Sequence, residues 1–262
     1  MTEISKMQLS SLTQYPLDDG AFLKRCQEEL DRYGVLVVPE FLNPDVLVRI
    51  ADEGERCRHL AYYTANKHNI YLKPADQAFA ADHPRNRLVC SSKGCITTDQ
   101  IPADSWLHTL YGSDEFQAFL CAVLGEHSLH EYADPLSSIN LHYAAEGQEL
   151  GWHFDNSSFA ITLLIQRPEA GGVFEYVKDL RNADQGEMAY DQAGKIIDGA
   201  VAPQTLSMDA GSLVLFRGRD SLHRVTPTVG STTRMLAVLA YNTAPDIALS
   251  ESARMTFYGR LG

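Results

Sequence analysis

The stretch that most constrains this chain is Leu150 to Gln166, centred on His153-Phe154-Asp155. Read as an extended segment, it alternates faces, so His153 and Asp155 point one way while Trp152 and Phe154 point the other. A strand of this kind buries its aromatic side and presents an imidazole beside a carboxylate on the opposite side. A β-type apolar run, Phe159 to Gln166, follows directly. An imidazole and a carboxylate make two-thirds of a metal site, and the third ligand has to come from a distant strand. His223, in Ser-Leu-His-Arg-Val-Thr-Pro and 70 residues downstream, is the candidate, with Gly211-Ser212-Leu213-Val214-Leu215-Phe216 leading into it.

The rest of the chain falls into two grammars. Asp18 and Asp19 are placed to cap a helix running to about Tyr33, with Phe22, Leu23, Cys26 and Leu30 as its apolar stripe. Gly34 ends it and Val35–Val38 reads as a short buried strand. Asn43 and Pro44 fit the start of a second helix reaching about Leu60. Residues 61–104 show no sustained period and are expected to hold active-site loops. A further helical region spans Ser105 to Leu124, broken at Gly112, with Phe116, Phe119, Leu120 and Val123 at core spacing. From Ser137 the period changes to two: Ile139, Leu141 and Tyr143 alternate with Asn140 and His142. Short strands then recur at 159–166, 173–177, 205–208, 212–216, 222–226 and 234–241, with a polar stretch at 178–202 expected to be a lid or a hairpin insertion. The expected fold class is α+β, mainly β: a double-stranded β-helix (jelly roll, cupin-like) core over about 137–245, buttressed by helices over about 17–125, in one domain spanning 1–262. The polar segment 1–16 is expected to be an irregular arm.

Composition narrows the function classes. A formal charge of -12 with no Lys/Arg-rich tract gives nucleic-acid binding no electrostatic support. No apolar run approaches the roughly 20 residues that cross a bilayer, and the first residues lack the apolar core of a signal peptide. Cys26, Cys57, Cys90, Cys95 and Cys121 form no CxxC pair and read as free thiols of a reducing, cytoplasmic compartment. The expected partner is a small-molecule substrate, with no nucleic acid and no membrane; a homodimer is compatible with this reading.

Two imidazoles and one carboxylate on one face, with other coordination positions open, suit Fe(II) that must also bind a chelating cosubstrate and dioxygen. The same trio can serve hydrolytic zinc, and a cupin-like module can bind metal without turnover. Arg234, eleven residues beyond His223, separates these readings. A lone arginine is ordinarily a salt-bridge partner. Beside both metal strands, its planar guanidinium can grip the far carboxylate of a keto acid whose other end chelates the metal.

His153-Phe154-Asp155, His223 and Arg234, with Gly211 to Phe216 leading into the second histidine, resemble the Fe(II)/2-oxoglutarate-dependent oxygenases. Gly147-Gln148 to Gln166 with Glu169-Ala170-Gly171-Gly172-Val173-Phe174-Glu175 is similar to the branch of free-amino-acid halogenases and their hydroxylase relatives, as is Tyr33-Gly34-Val35 followed by Phe41-Leu42 and a helix. The resemblance implies an enzyme using Fe(II), 2-oxoglutarate and O2, with His153, Asp155 and His223 as metal and catalytic residues. Halogenases of this branch have a small residue where Asp155 stands, which leaves the iron a position for chloride. The carboxylate here implies hydroxylation of an unactivated C–H of a small polar metabolite, a free amino acid or a derivative, coupled to release of succinate and carbon dioxide. Desaturation or cyclisation of a natural-product intermediate is the alternative outcome. The resemblance further assigns Arg234, Tyr143 and Thr162 to the keto acid, and Arg85 or Arg87 to a substrate carboxylate. Asn156, Asn242 and Thr243 are assigned to the remaining substrate contacts. Uncharged Asn156 stands where lysine-type enzymes place an acid, which disfavours a lysine substrate.

Overall fold

A computed structural model describes residues 9–262. The first eight residues of the expected N-terminal arm lie outside the described residues. The rest of that arm is not irregular throughout: residues 9–12 form a helical turn that buries Leu9 and Leu12.

The helices start and stop where the side chains dictate. Helix α1 (Gly20–Tyr33) is capped by Asp19, whose carboxylate accepts from the Phe22 N–H, and ends at Gly34 in the left-handed region (φ 71°), which only glycine enters cheaply. Helix α2 (Pro44–Cys57) opens on proline, but Asn43 gives its side chain to the Ser11 carbonyl instead of capping. The helix passes into a short 3-10 turn at Arg58–Leu60. Ser105 and Ser113 cap α3 (Trp106–Tyr111) and α4 (Asp114–Leu124) on either side of Gly112.

Thirteen strands follow the chain: β1 (Val35–Val38), β2 (Tyr62–Asn69), β3 (Leu88–Ile96), β4 (Ile139–Ala144), β5 (Leu150–His153), β6 (Ala160–Gln166), β7 (Ala170–Gly171), β8 (Phe174–Val177), β9 (Gln204–Leu206), β10 (Leu213–Phe216), β11 (Leu222–Val225), β12 (Thr228–Val229) and β13 (Arg234–Leu239). Eleven of them form one antiparallel, curled sheet in the order β1, β10, β6, β13, β4, β3, β5, β11, β8, β9, with β2 added on β3, while β7 and β12 pair separately. This is the expected jelly roll, with one correction. Residues 61–104 hold loops, as expected, but also β2 and β3, which pair over eight residues and bring part of the supposed helical half into the sheet. The segment 178–202 also carries structure of its own, helix α5 (Tyr190–Ile197), and a further helix α6 (Glu251–Tyr258) lies beyond the expected core. No helix among the described residues is long and apolar enough to cross a membrane. All five cysteines are free.

The alternation of β4, β6, β10 and β13 divides the molecule. Ile139, Leu141 and Tyr143 of β4 join Met235, Ala237 and Leu239 of β13, Ile161, Leu163 and Ile165 of β6 and Leu213 and Leu215 of β10 in one buried cluster with α1 to α4. Each such side chain stabilises the fold by roughly 1.5–3 kcal/mol when fully buried. A one-residue slip would turn the whole set inward, so this outer face locks the register. The inner face then presents Asn140 and His142 beside Arg234, Leu236 and Val238. A smaller cluster of Ile70, Tyr71, Trp152, Phe154, Ala193, Ile196 and Leu222 ties α5 to the metal-bearing strand.

Candidate active site

His153 and His223 face each other directly across the β5–β11 pair, with ring centroids 4.2 Å apart. Asp155 lies just past the end of β5, where its backbone N–H donates to the Gly218 carbonyl at 3.0 Å. Its Oδ1 stands 3.6 Å from His153 Nε2 and 3.5 Å from His223 Nε2. One ligand atom from each of the three lies within 4.8 Å of the others. Both rings are oriented the same way: Nδ1 of His153 is 2.8 Å from the Gly151 carbonyl and Nδ1 of His223 is 3.0 Å from the Ser221 carbonyl. A ring that donates at Nδ1 keeps Nε2 as the free lone pair, which is the tautomer a metal needs. Burial and the neighbouring His223 push His153 below the usual histidine range, keeping it neutral despite Asp155. Burial opposes ionisation of Asp155, but the neighbouring His223, His153 and Arg181 outweigh it and hold the carboxyl below its usual range. Gly218 makes room for this carboxylate: a Cβ there would sit 1.8 Å from Asp155 Oδ2. The donor set of two neutral nitrogens and one anionic oxygen fits a single ferrous ion with open positions.

Arg234 opens β13 on the inner face and is only 7% exposed. Its guanidinium has no hydrogen bond or ion pair to any described residue, and burial alone lowers its pKa to about 10. Gly172, in the left-handed region at φ 59°, lies against it, since a Cβ there would come within 2.9 Å of Arg234 Cδ. A buried cation without an acid is costly. Such a guanidinium is chemically suited to receive an anion.

The other expected site residues divide. Thr162 of β6 pairs with Val238 and Val214 and shares the inner face. Tyr143 does not: it is fully buried on the outer face, where its hydroxyl donates to the Gly54 carbonyl at 2.7 Å, so the expected contact to the keto acid is ruled out by the direction of the side chain. Arg85 reaches toward the aromatic floor, 5.9 Å above the Tyr71 ring, with Nη2 on the Pro74 carbonyl and Nη1 buried without a partner. Arg87 is turned away and paired with Asp198 beside α5, which removes it from the substrate-carboxylate role. The Asn242 side-chain nitrogen is buried and unpartnered, whereas Asn156 and Thr243 are exposed.

Three residues near the site were not anticipated. His68 of β2 packs edge-on against His153, with its Nε2 2.7 Å from Ser91 Oγ. Lys93 of β3 places Nζ 2.9 Å from His142 Nε2. Arg181 lies 4.1 Å over the Phe154 ring, held by the Arg219 carbonyl and facing Asp220. The signal for Lys93 was the alternation of Ser91, Lys93 and Cys95, but without apolar residues at those positions it does not announce a strand.

A family model described as Halogenase D (HalD) matches residues 18–256. No curated protein sequence matches the chain. Among solved structures, the chain is similar to the non-haem α-ketoglutarate-dependent epimerase SnoN of nogalamycin biosynthesis, with TM-score 0.59 at 14% identity, covering 85% of this chain and 84% of that one. It is also similar to a 2OG-Fe(II) oxygenase-family oxidoreductase from Burkholderia pseudomallei, with TM-score 0.55 at 13% identity over 90% and 97% of the two chains. A prolyl-4-hydroxylase from Pseudomonas putida aligns with TM-score 0.51 at 14% identity over 83% and 98%. With the jelly roll and the two-histidine, one-carboxylate cluster already in place, the chain belongs to the Halogenase D family and has the fold of the 2-oxoglutarate/Fe(II) oxygenases.

Proposed function

We propose that this protein is an Fe(II)- and 2-oxoglutarate-dependent hydroxylase of a small polar metabolite, a free amino acid or a derivative. The observation that carries the reading is the pairing of two features: Asp155 in ligand position between two Nε2 atoms, and Arg234 buried without an acid. The carboxylate favours hydroxylation over halogenation, because it takes the position that the family's halogenases leave to chloride. When bound, iron and 2-oxoglutarate would supply an oxidative decarboxylation by dioxygen, one oxygen atom going into succinate as carbon dioxide leaves and the other into a substrate C–H.

The chain's own residues do the positioning. His153, His223 and Asp155 would hold the metal and leave positions for other ligands. Arg234 receives the distal carboxylate of the keto acid through two parallel N–H donors, in a dry setting where such a bond is strong. Thr162 lines the same inner face. Arg85 offers an unpaired N–H for a substrate carboxylate above Tyr71, and Asn242 an unpaired amide N–H. The stack of Tyr71 on Phe154, at 5.4 Å, with Arg181 over it, excludes water from one side of the ligand cluster.

The test is to load the protein with Fe(II) and 2-oxoglutarate without oxygen, then admit oxygen in the presence of each amino acid in turn. Succinate release stoichiometric with a product heavier by one oxygen is expected for one class of amino acid. A chlorinated product in chloride buffer, or no succinate above the substrate-free rate across polar metabolites, overturns the proposal.

A further inference from the structure

We propose that Lys93 is a second anchor for the keto acid: its ammonium and the Arg234 guanidinium share the distal carboxylate, and His142 positions that ammonium. This rests on the 2-oxoglutarate reading above and adds to it a residue that no motif assigns.

The geometry follows from three adjacent strands. Across β13–β4, Arg234 stands opposite Ala144 and Leu236 opposite His142. Across β4–β3, His142 stands opposite Cys95 and Tyr143 opposite Gly94. Paired residues share a face, so His142, Cys95 and Arg234 all point inward, and Lys93, two residues from Cys95, does the same. Lys93 and Arg234 therefore flank the inner face of β4 from either side, their backbones about 10 Å apart, two strand spacings. The small side chain of Ala144 leaves the space between them open.

His142 explains why the ammonium stays there. Its ring nitrogen lies 2.9 Å from Lys93 Nζ, and burial, then Lys93, then Arg234 hold the imidazole well below the usual histidine range, so it is a neutral acceptor. One N–H of Lys93 is spent on that ring. No described residue accepts from the other two, and no acid forms an ion pair with either Lys93 or Arg234. Burial lowers the pKa of both. Structural lysines at sheet faces commonly end on a carboxylate; this half-buried one ends on a neutral imidazole. A mobile dicarboxylate whose far end lies between the two cations satisfies both at once. The chelated metal with Asp155 carries one net positive charge, so two further cations suit a doubly charged keto acid plus an acid-bearing substrate.

The experiment compares two keto acids on the Fe(II)-loaded protein without oxygen, by calorimetry: 2-oxoglutarate, and 2-oxopentanoate, which chelates identically but lacks the distal carboxylate. In the native protein 2-oxoglutarate binds more tightly. Lys93→Met, which keeps the length and removes the charge, weakens 2-oxoglutarate on the order of 10- to 100-fold and leaves 2-oxopentanoate unchanged. Lys93→Arg restores part of the difference. His142→Leu lowers 2-oxoglutarate affinity by a smaller factor, and His142→Gln, whose amide oxygen can accept from the ammonium, recovers it. Thermal melting of the metal-free protein checks folding, and Lys93→Met melts no lower than the native chain because a buried unpaired charge has been removed. If Lys93→Met retains the full preference for 2-oxoglutarate, or loses affinity for an amino-acid substrate instead, the assignment of Lys93 is wrong while the oxygenase reading stands. If the native protein binds neither keto acid, both are wrong.

Discussion

At the β5–β11 corner both imidazoles donate from Nδ1 to a carbonyl two residues back, and the Asp155 carboxylate is set between their Nε2 atoms. Across the barrel, on β3 and β13, half-buried Lys93 and buried Arg234 have no acid to meet them. The two corners handle polar groups in opposite ways. In the first, backbone carbonyls and a carboxylate supply partners that orient both rings. In the second, the fold sets two cations on one sheet face and supplies no acid for either. On the proposed reading, the difference would let one site keep its metal while exchanging an organic cosubstrate: the three-residue cluster is oriented by the fold, and the cationic charge would be neutralised only by what binds.

Removing a member of the built-in corner breaks the comparison most severely. His223→Ala takes away one of three ligands and should weaken Fe(II) by at least about a hundredfold and abolish succinate formation; unchanged turnover would remove the ligand assignment. Arg234→Met acts at the other corner. It should raise the Kd for 2-oxoglutarate by roughly a hundredfold, leave Fe(II) affinity near native, and raise or preserve the melting temperature of the metal-free protein. A lower melting temperature would mean that Arg234 has a structural partner after all. Two glycines sharpen the contrast with smaller effects. Gly218→Ala drives a methyl to 1.8 Å from Asp155 Oδ2 and should weaken Fe(II) about 10- to 100-fold, whereas Gly172→Ala meets Arg234 Cδ at 2.9 Å and should weaken 2-oxoglutarate while sparing the metal. Titrations of metal alone, then of keto acid on the loaded protein, separate the two.

What could be read from residues alone followed the same division. Leu150 to Gln166, Leu213 to Phe216 and Leu222 to Thr226 were legible because apolar runs and alternation mark buried strands, and those stretches hold all three candidate ligands. Tyr143 shows a rule available but not applied: Ile139, Leu141 and Tyr143 share one face by period two, so the tyrosine had to join the core and His142 the cavity. β2 and β3 were opaque for a physical reason. Tyr-Tyr-Thr-Ala-Asn-Lys-His-Asn and Leu-Val-Cys-Ser-Ser-Lys-Gly-Cys-Ile are largely polar and mostly exposed or half-buried on both faces, so neither face imprints hydrophobic periodicity. The charged residues these strands carry, Lys93 among them, therefore sit where pattern reading is weakest. Arg85 and Arg87 could not be separated either, because their directions depend on a loop whose shape is set by Asn86 bonding to the Asp76, Phe79 and Ala80 carbonyls.

The smallest effect tests the charge state of the unfinished corner directly. His142 is held neutral in the fold by burial and by the cations of β3 and β13, Lys93 and Arg234, with a pKa well below 6.5. In the unfolded chain it takes a proton near pH 6.5. Below that pH the unfolded state binds more protons than the folded one, so this residue's contribution to stability is complete above about pH 6.5 and is lost as pH falls toward its folded pKa. The slope approaches about 1.4 kcal/mol per pH unit once the unfolded histidine is fully protonated. His153 adds a slope of the same sign in the metal-free protein, so the informative quantity is a difference. Urea unfolding of the native chain and of His142→Asn, both metal-free, should give stabilities whose gap is constant above pH 7. That gap should shift in the variant's favour by about 1–2 kcal/mol between pH 6.5 and pH 5. A gap that stays constant over the whole range would mean His142 titrates alike in the folded and unfolded chain, which is incompatible with an imidazole held neutral by burial beside the Lys93 ammonium.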